Sequence, residues 1–203
     1  MVPRGVIHIG AHEGQEMAAY KAMGIGKVLL IEANPNVYER LRRNVQNISD
    51  VQLVQCAISN YNGTVQLHVT SMDQSISILP LKSHQVLYPF IVETDQLNVE
   101  CKTLDSLLNE LSLSTSDFNI LNIDIQGAEL LAFEGATNTL KHIAAILTEI
   151  NFAELYEGCA LARQLDEFLK LYGFVRVATS TPYHPSWGDA FYVTPFFKNR
   201  RCR

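Results

Sequence analysis

The sequence predicts an α/β fold in which helices cover both faces of a largely parallel sheet. Three observations carry that prediction. Apolar, β-branched runs at 6–9, 28–31, 51–56, 118–125 and 143–150 alternate with segments of helical period at 13–23, 35–47, 128–140 and 160–172. The runs are apolar nearly throughout rather than at every second residue, as strands buried on both faces are. Finally, a chain of 203 residues suffices for one α/β domain with an insertion, with a core that needs no staples.

Each element has a local reason. The run 6–9 ends in Gly10 and passes through a glycine turn, Gly10 to Gly14, into the first helical segment. After the run 28–31, Asn34-Pro35 is a helix start, with Asn34 as N-cap and Pro35 at the first helical position. Asn62-Gly63 marks a turn, 64–70 alternates like a strand, and 71–102 is a polar stretch interrupted by Pro80 and Pro89. A segment this long without regular alternation reads as a functional insertion, so 64–102 is expected to be a substrate lid, with Ser75, Ser77, His84 and Tyr88 facing the acceptor. In the last helix Leu161, Leu165, Phe168, Leu169 and Tyr172 recur at three and four residues, and Gly173 stops it. The closing strands, 174–178 and 190–193, are joined by a stretch too short for a helical crossover. They should form an antiparallel hairpin.

Composition excludes several classes. With 47% apolar and 18% charged residues the chain is an ordinary globular protein without low-complexity segments or repeats. A net charge of −5 argues against a nucleic-acid surface, which needs a clustered basic face. Only the tail Lys198-Asn199-Arg200-Arg201-Cys202-Arg203 is basic. Cys56, Cys101, Cys159 and Cys202 form no Cys-x-x-Cys pair, which indicates reduced thiols rather than zinc or disulfides. No apolar run reaches the roughly 18 residues of a membrane span, and the N-terminus lacks signal-peptide order. A cytoplasmic location is expected.

Ligands of an open parallel sheet bind beyond the carboxyl ends of its strands. Glu32 ends the second run 22 residues after Gly10, the spacing at which an acid grips the ribose hydroxyls of a nucleoside. A dinucleotide turn would carry a glycine where His12 stands, and the His12 side chain would obstruct a pyrophosphate. The turn therefore suits a nucleoside without a pyrophosphate, S-adenosylmethionine rather than a nicotinamide cofactor. No phosphate-loop motif occurs.

A third strand end, Leu121-Asn122-Ile123-Asp124-Ile125-Gln126-Gly127-Ala128-Glu129, completes a set of segments running in order along nearly the whole chain. The others are His8-Ile9-Gly10-Ala11-His12-Glu13-Gly14, Ile31-Glu32-Ala33-Asn34-Pro35, Ala57-Ile58-Ser59 with Asn62-Gly63, Thr103-Leu104-Asp105, Gly135-Ala136, and Trp187-Gly188-Asp189-Ala190. In this set the chain resembles the FkbM family of S-adenosylmethionine-dependent O-methyltransferases. The resemblance implies a class I methyltransferase (Rossmann-like) three-layer sandwich, with a seven-stranded, mostly parallel sheet whose last strand is antiparallel. It implies that Gly10 and Ala11 line the cofactor, that Glu32 takes the ribose, and that Cys56 and Ala57 pack at the adenine. His8, His12, Gly14, Ala33, Asn34, Asp124 and Gln126, at the same strand ends, complete the expected cofactor-binding set. Three positions depart from the pattern: His8 stands for an aspartate, Asn122 for a lysine and Gln126 for a glutamate.

Methyl transfer to a hydroxyl needs an acceptor oxygen held in line with the methyl and a group to take its proton. His184, Asp124 and Glu149 are the candidate catalytic residues, with His12 as a further base. An imidazole at His184, in the loop between the last two strands, has a suitable unperturbed pKa. Asp124, Glu149 and Asn151 offer oxygens of the kind Mg²⁺ takes, but nothing in their spacing fixes a geometry, so no metal is assigned. The function expected is methylation of a sugar, glycan or secondary-metabolite hydroxyl. A non-catalytic S-adenosylmethionine-binding module and, less well, a nicotinamide oxidoreductase are the alternatives. The partner expected is a small-molecule or glycan acceptor, without nucleic acid or a membrane span.

Overall fold

The computed structural model describes residues 2–195, so the basic tail and Cys202 lie outside the described residues. Among the described residues there are ten strands: β1 (Gly5–Ile9), β2 (Lys27–Glu32), β3 (Val51–Gln55), β4 (Ala57–Ile58), β5 (Gly63–Thr70), β6 (Glu93–Lys102), β7 (Ile120–Ile123), β8 (Ala145–Asn151), β9 (Val175–Ser180) and β10 (Trp187–Val193). The helices are α1 (Met17–Ala22), α2 (Pro35–Val45), α3 (His84–Leu87), α4 (Leu104–Glu110), α5 (Glu129–Glu134) and α6 (Ala162–Leu171).

Seven strands form the main sheet in the order β3-β2-β1-β7-β8-β10-β9. β1, β2, β3, β7 and β8 pair in parallel, and β10 lies antiparallel between β8 and β9. The expected terminal hairpin is there, with β10 inserted next to β8.

Alternation along each strand sorts the core into two layers. Ile7, Ile9, Leu29 and Ile31 pack with α4, α5 and α6 through Leu104, Leu107, Phe133, Leu165 and Leu169. Val6, Val28 and Leu30 pack on the other face with Met17 and Tyr20 of α1 and Leu41 and Val45 of α2. The helices cover that second face over β3, β2, β1 and β7, while Leu147 of β8 and Val175 and Val177 of β9 are exposed on its other half.

Four elements differ from the sequence reading. The stretch 71–102 is not irregular throughout, because 93–102 is β6, which pairs antiparallel with β5 and parallel with β4 in a second, three-stranded sheet. Leu97, Val99 and Cys101 of β6 turn to that sheet's apolar cluster, while Asn98 and Glu100 between them are exposed. Residues 104–110 form α4, capped by Thr103, whose hydroxyl accepts the Ser106 N–H. The helical segment 128–140 stops after α5, where Gly135 runs against the backbone of Ser59 so closely that a Cβ would lie 2.1 Å from its carbonyl oxygen. The first helix starts at Met17 rather than 13. Asn34 does cap α2, accepting the N–H groups of Asn36 and Val37.

Candidate active site

The turn after β1 is shaped by its neighbours. Gly10 has φ +77°, and a Cβ there would sit 1.9 Å from the Asp124 carbonyl oxygen. Only glycine fits. His12 follows with φ +46°, and its backbone N–H points at Glu32. The Glu32 carboxylate, 9% exposed, accepts that N–H through Oε2 at 3.0 Å and the Asn34 N–H through Oε1 at 2.8 Å. Burial raises its pKa, against the two backbone donors. Each carboxylate oxygen keeps a free lone pair, so two further donors can be received.

Beside Glu32 opens a cleft of about 710 Å³, its mouth included. Gly10, His12, Ala33, Cys56 and Ala57 line it, together with Leu67 of β5 and with Ile76 and Ile78 of the segment that follows β5. An acid flanked by apolar walls is a donor set that fits a nucleoside: hydroxyls on the carboxylate and an aromatic base between aliphatic side chains.

Under the turn, β1 and β7 pair His8 with Asn122. His8 is buried, its Nδ1 lies 3.1 Å from the Tyr20 hydroxyl and its Nε2 3.2 Å from Asn122 Nδ2. Asn122 Nδ2 also donates to the Tyr20 hydroxyl at 2.7 Å. Nε2 is then the acceptor and Nδ1–H the donor of a neutral ring. Desolvation agrees, holding the imidazole pKa down at about 3. Two of the departures from the family pattern are thus one feature, a neutral cross-strand pair where an acid and a lysine would face each other.

The third departure sits at the centre of the site. Gln126 has φ +55°, a left-handed conformation uncommon for a residue with a side chain, and its amide is held on both ends. Nε2 donates to Asp124 Oδ1 at 2.7 Å and to Glu149 Oε2 at 3.1 Å, while Oε1 accepts the Tyr156 hydroxyl at 2.7 Å. Ser77 Oγ donates to its carbonyl at 2.8 Å. Asn151 Nδ2 reaches the other Glu149 oxygen at 3.3 Å. Nearby, Glu129 Oε1 accepts the Ile125 and Gly127 N–H groups and so fixes the turn itself.

The acids here are shifted upward. Burial, with Asp124 and Glu129 close by, raises Glu149 well above its ordinary value. Asp124 opens onto the clefts yet is crowded by protein, and desolvation followed by the Asp189 charge moves it to about 6 against the Gln126 hydrogen bond. Burial pushes Glu129 to about 7 and raises Asp189. Among the described residues, no three His, Cys, Asp or Glu side chains converge as a metal-binding group.

Two more hollows meet the nucleoside-shaped cleft at Asp124 and Gln74. One runs along the sheet face past His8, Ala11, Gln15 and Glu16 to Glu149 and Asp189. The other, about 1460 Å³ with its open mouth, is walled by Ser75, His84 and Tyr88 of the insertion and by Tyr183 and Trp187 of the last loop and strand. The insertion is pinned to the segment after β8. Lys82 and His84 donate their backbone N–H groups to Leu155, and Glu157 donates to the Pro80 carbonyl.

Most of the expected residues come together. Gly10, His12, Glu32, Ala33, Cys56, Ala57, Asp124 and Gln126 line the first cleft, and His8, Ala11 and Glu149 line the adjoining hollows. Three do not. Gly14, φ +78°, turns the chain against Leu41, Asn34 is spent capping α2, and His184 lines none of the three hollows, its Nδ1 accepting the Ser186 N–H at 3.1 Å. Asp189 was missed. It is the cross-strand partner of Glu149, and only the antiparallel register of β10 brings the two together.

A seven-stranded sheet with the nucleoside-shaped cleft at its strand ends and β10 reversed is the class I methyltransferase fold. Over residues 8–176 the chain matches the methyltransferase FkbM domain. It belongs to the FkbM methyltransferase family, a class dependent on S-adenosylmethionine. It is 27% identical over 178 residues to the 2-O-methyltransferase NoeI of Sinorhizobium fredii (strain NBRC 101917 / NGR234), covering 84% of this chain and 72% of that one. Among solved structures it is similar to M. capricolum TrmK in complex with S-adenosyl-homocysteine, with TM-score 0.53 and 7% identity over 94% of this chain. The chain spans 61% of that protein's length. It is also similar to precorrin-6y C5,15-methyltransferase from Geobacter metallireducens GS-15, with TM-score 0.50 and 13% identity, covering 95% of this chain and 80% of that one.

Proposed function

We propose that the chain methylates a hydroxyl of a sugar, glycan or secondary metabolite, with the insertion 64–102 forming the acceptor side of the site. One observation carries the reading: the nucleoside-shaped cleft and the wide hollow walled by the insertion share Asp124, Gln74 and Gln126. Similarity to a relative named as a 2-O-methyltransferase supports oxygen as the acceptor atom.

S-adenosylmethionine, when bound, supplies an electrophilic methyl group. Glu32 would hold the ribose hydroxyls on its carboxylate oxygens, and Ala57, Ile58, Leu67 and Ile78 would shield the adenine from water. At the junction, Asp124 is the group that takes the acceptor's proton, on its carboxylate oxygens. Its raised pKa leaves it largely ionised at neutral pH while making it a stronger base than an ordinary aspartate. Gln126 fixes that carboxylate's orientation, and Glu149 receives a second acceptor hydroxyl. His184 has no part in this assignment.

The test is turnover. Incubation with methyl-labelled S-adenosylmethionine and a mixture of neutral polyhydroxylated acceptors should release S-adenosylhomocysteine in step with label appearing as methyl ether. Cofactor binding without transfer to any hydroxyl would contradict the reading.

A further inference from the structure

Resting on that reading, we infer that the wide hollow is a subsite for an uncharged sugar ring, with Tyr183 and Trp187 as its stacking platform and with carboxyls that exclude anionic acceptors. Two independent observations meet here. The first is aromatic. Tyr183 and Trp187 stack with ring centroids 5.6 Å apart and planes 20° from parallel, and both line the hollow. Tyr183 is 79% exposed, so its ring keeps an open surface, while Trp187 is anchored by its Nε1–H donating to the Tyr88 hydroxyl at 3.2 Å. The negative face of an aromatic ring attracts the C–H-rich face of a pyranose, and an exposed stacked pair is otherwise apolar surface left in water.

The second observation is charge. Asp124, Glu149 and Asp189 line the hollow, and no Lys or Arg does. Glu149 and Asp189 face each other across β8 and β10, and directly opposed side chains project from the same face of a sheet. Two adjacent carboxyls can receive two neighbouring hydroxyls of one ring. A carboxylate, sulfate or phosphate on the acceptor would meet Asp124, largely ionised at neutral pH, and find no Lys or Arg among the residues lining the hollow. His84, 5% exposed, also lines the hollow with its Nδ1 unpartnered, leaving a further polar position to be filled.

The experiment uses the whole chain with methyl-labelled S-adenosylmethionine on an array of neutral glycans and their uronic- or sialic-acid-containing counterparts. Label is expected on neutral glycans, with kcat/KM at least tenfold lower on the matched anionic ones. Tyr183→Ala, at an exposed position that leaves folding intact, should raise the acceptor KM about tenfold, a loss near the upper end for an aromatic contact, with S-adenosylhomocysteine affinity unchanged. Asp189→Lys should move the preference toward anionic glycans. Equal labelling of anionic glycans, or a Tyr183→Ala variant as active as the wild type, would overturn the inference. No labelled glycan despite S-adenosylhomocysteine binding overturns the sugar subsite alone, whereas absence of that binding overturns the transferase reading beneath it.

Discussion

Gln126 does what a glutamate in its place could not: one amide nitrogen donates to two carboxyls, Asp124 and Glu149, while its oxygen accepts a hydrogen bond from the Tyr156 hydroxyl. Gln126→Glu would set a third acid between them. We expect a destabilisation of about 1–3 kcal/mol, the range for leaving buried polar groups unsatisfied, larger at pH 8 than at pH 5 because protonation relieves the repulsion; thermal melts at the two pH values check it. Asp124→Asn, which keeps the shape and removes the base, should lower kcat about 100-fold or more with S-adenosylhomocysteine affinity changed little. Unchanged kcat would move the proton acceptor elsewhere. At this scale Glu32 was legible because a strand end and a spacing suffice to place it. The role of Gln126 was not, since its partners come from β8 and from the loop bearing Tyr156. His184 misled because a place in the loop between the last two strands cannot tell whether a ring points into the site or back to its own loop.

Strands act as units, and the His8–Asn122 pair shows how a departure in one is matched in its neighbour. His8→Asp alone would bury a carboxylate beside Tyr20 and near Glu16, whose Oε2 is already 3.8 Å from the ring. The expected cost is about 3–5 kcal/mol, that of an uncompensated buried charge. Asn122→Lys in addition should recover at least about 1 kcal/mol as coupling in a double-mutant cycle. Purely additive melting shifts would show that the two positions do not answer each other. The elements themselves were legible where an apolar run or a cap stood out, as in β1, β2, α2 and α6. β6 escaped because its alternation is confined to Leu97, Val99 and Cys101, with the exposed Glu93 to Gln96 before them, and α4 because seven residues hold too little periodicity to count.

Over the whole molecule, buried ionisable groups set opposed pH limbs. Glu129, 1% exposed and raised to about 7, keeps a proton that an unfolded glutamate releases above about 4.5, so stability falls as pH rises through that window. His8, held near 3, stays neutral while an unfolded histidine takes a proton below 6.5, so its share of stability is lost as pH falls. Melting temperature without ligand should therefore decline from about pH 5 to pH 8. Glu129→Gln, which keeps the Oε1 acceptor for Ile125 and Gly127, should flatten that decline; an unchanged slope would contradict the assignment. The insertion, expected as a substrate lid, is hydrogen-bonded to the segment after β8, an arrangement made by long-range pairings that local sequence does not display.

The cofactor cleft is the part on which everything else rests, and calorimetry of the wild type and Glu32→Ala with S-adenosylhomocysteine and NAD tests it most directly. The wild type should bind S-adenosylhomocysteine and not NAD, and Glu32→Ala should weaken the binding about 10- to 100-fold, as expected for losing hydrogen bonds to a charged group. Binding of NAD alone, or a Glu32→Ala variant that binds S-adenosylhomocysteine as well as the wild type, would contradict the account.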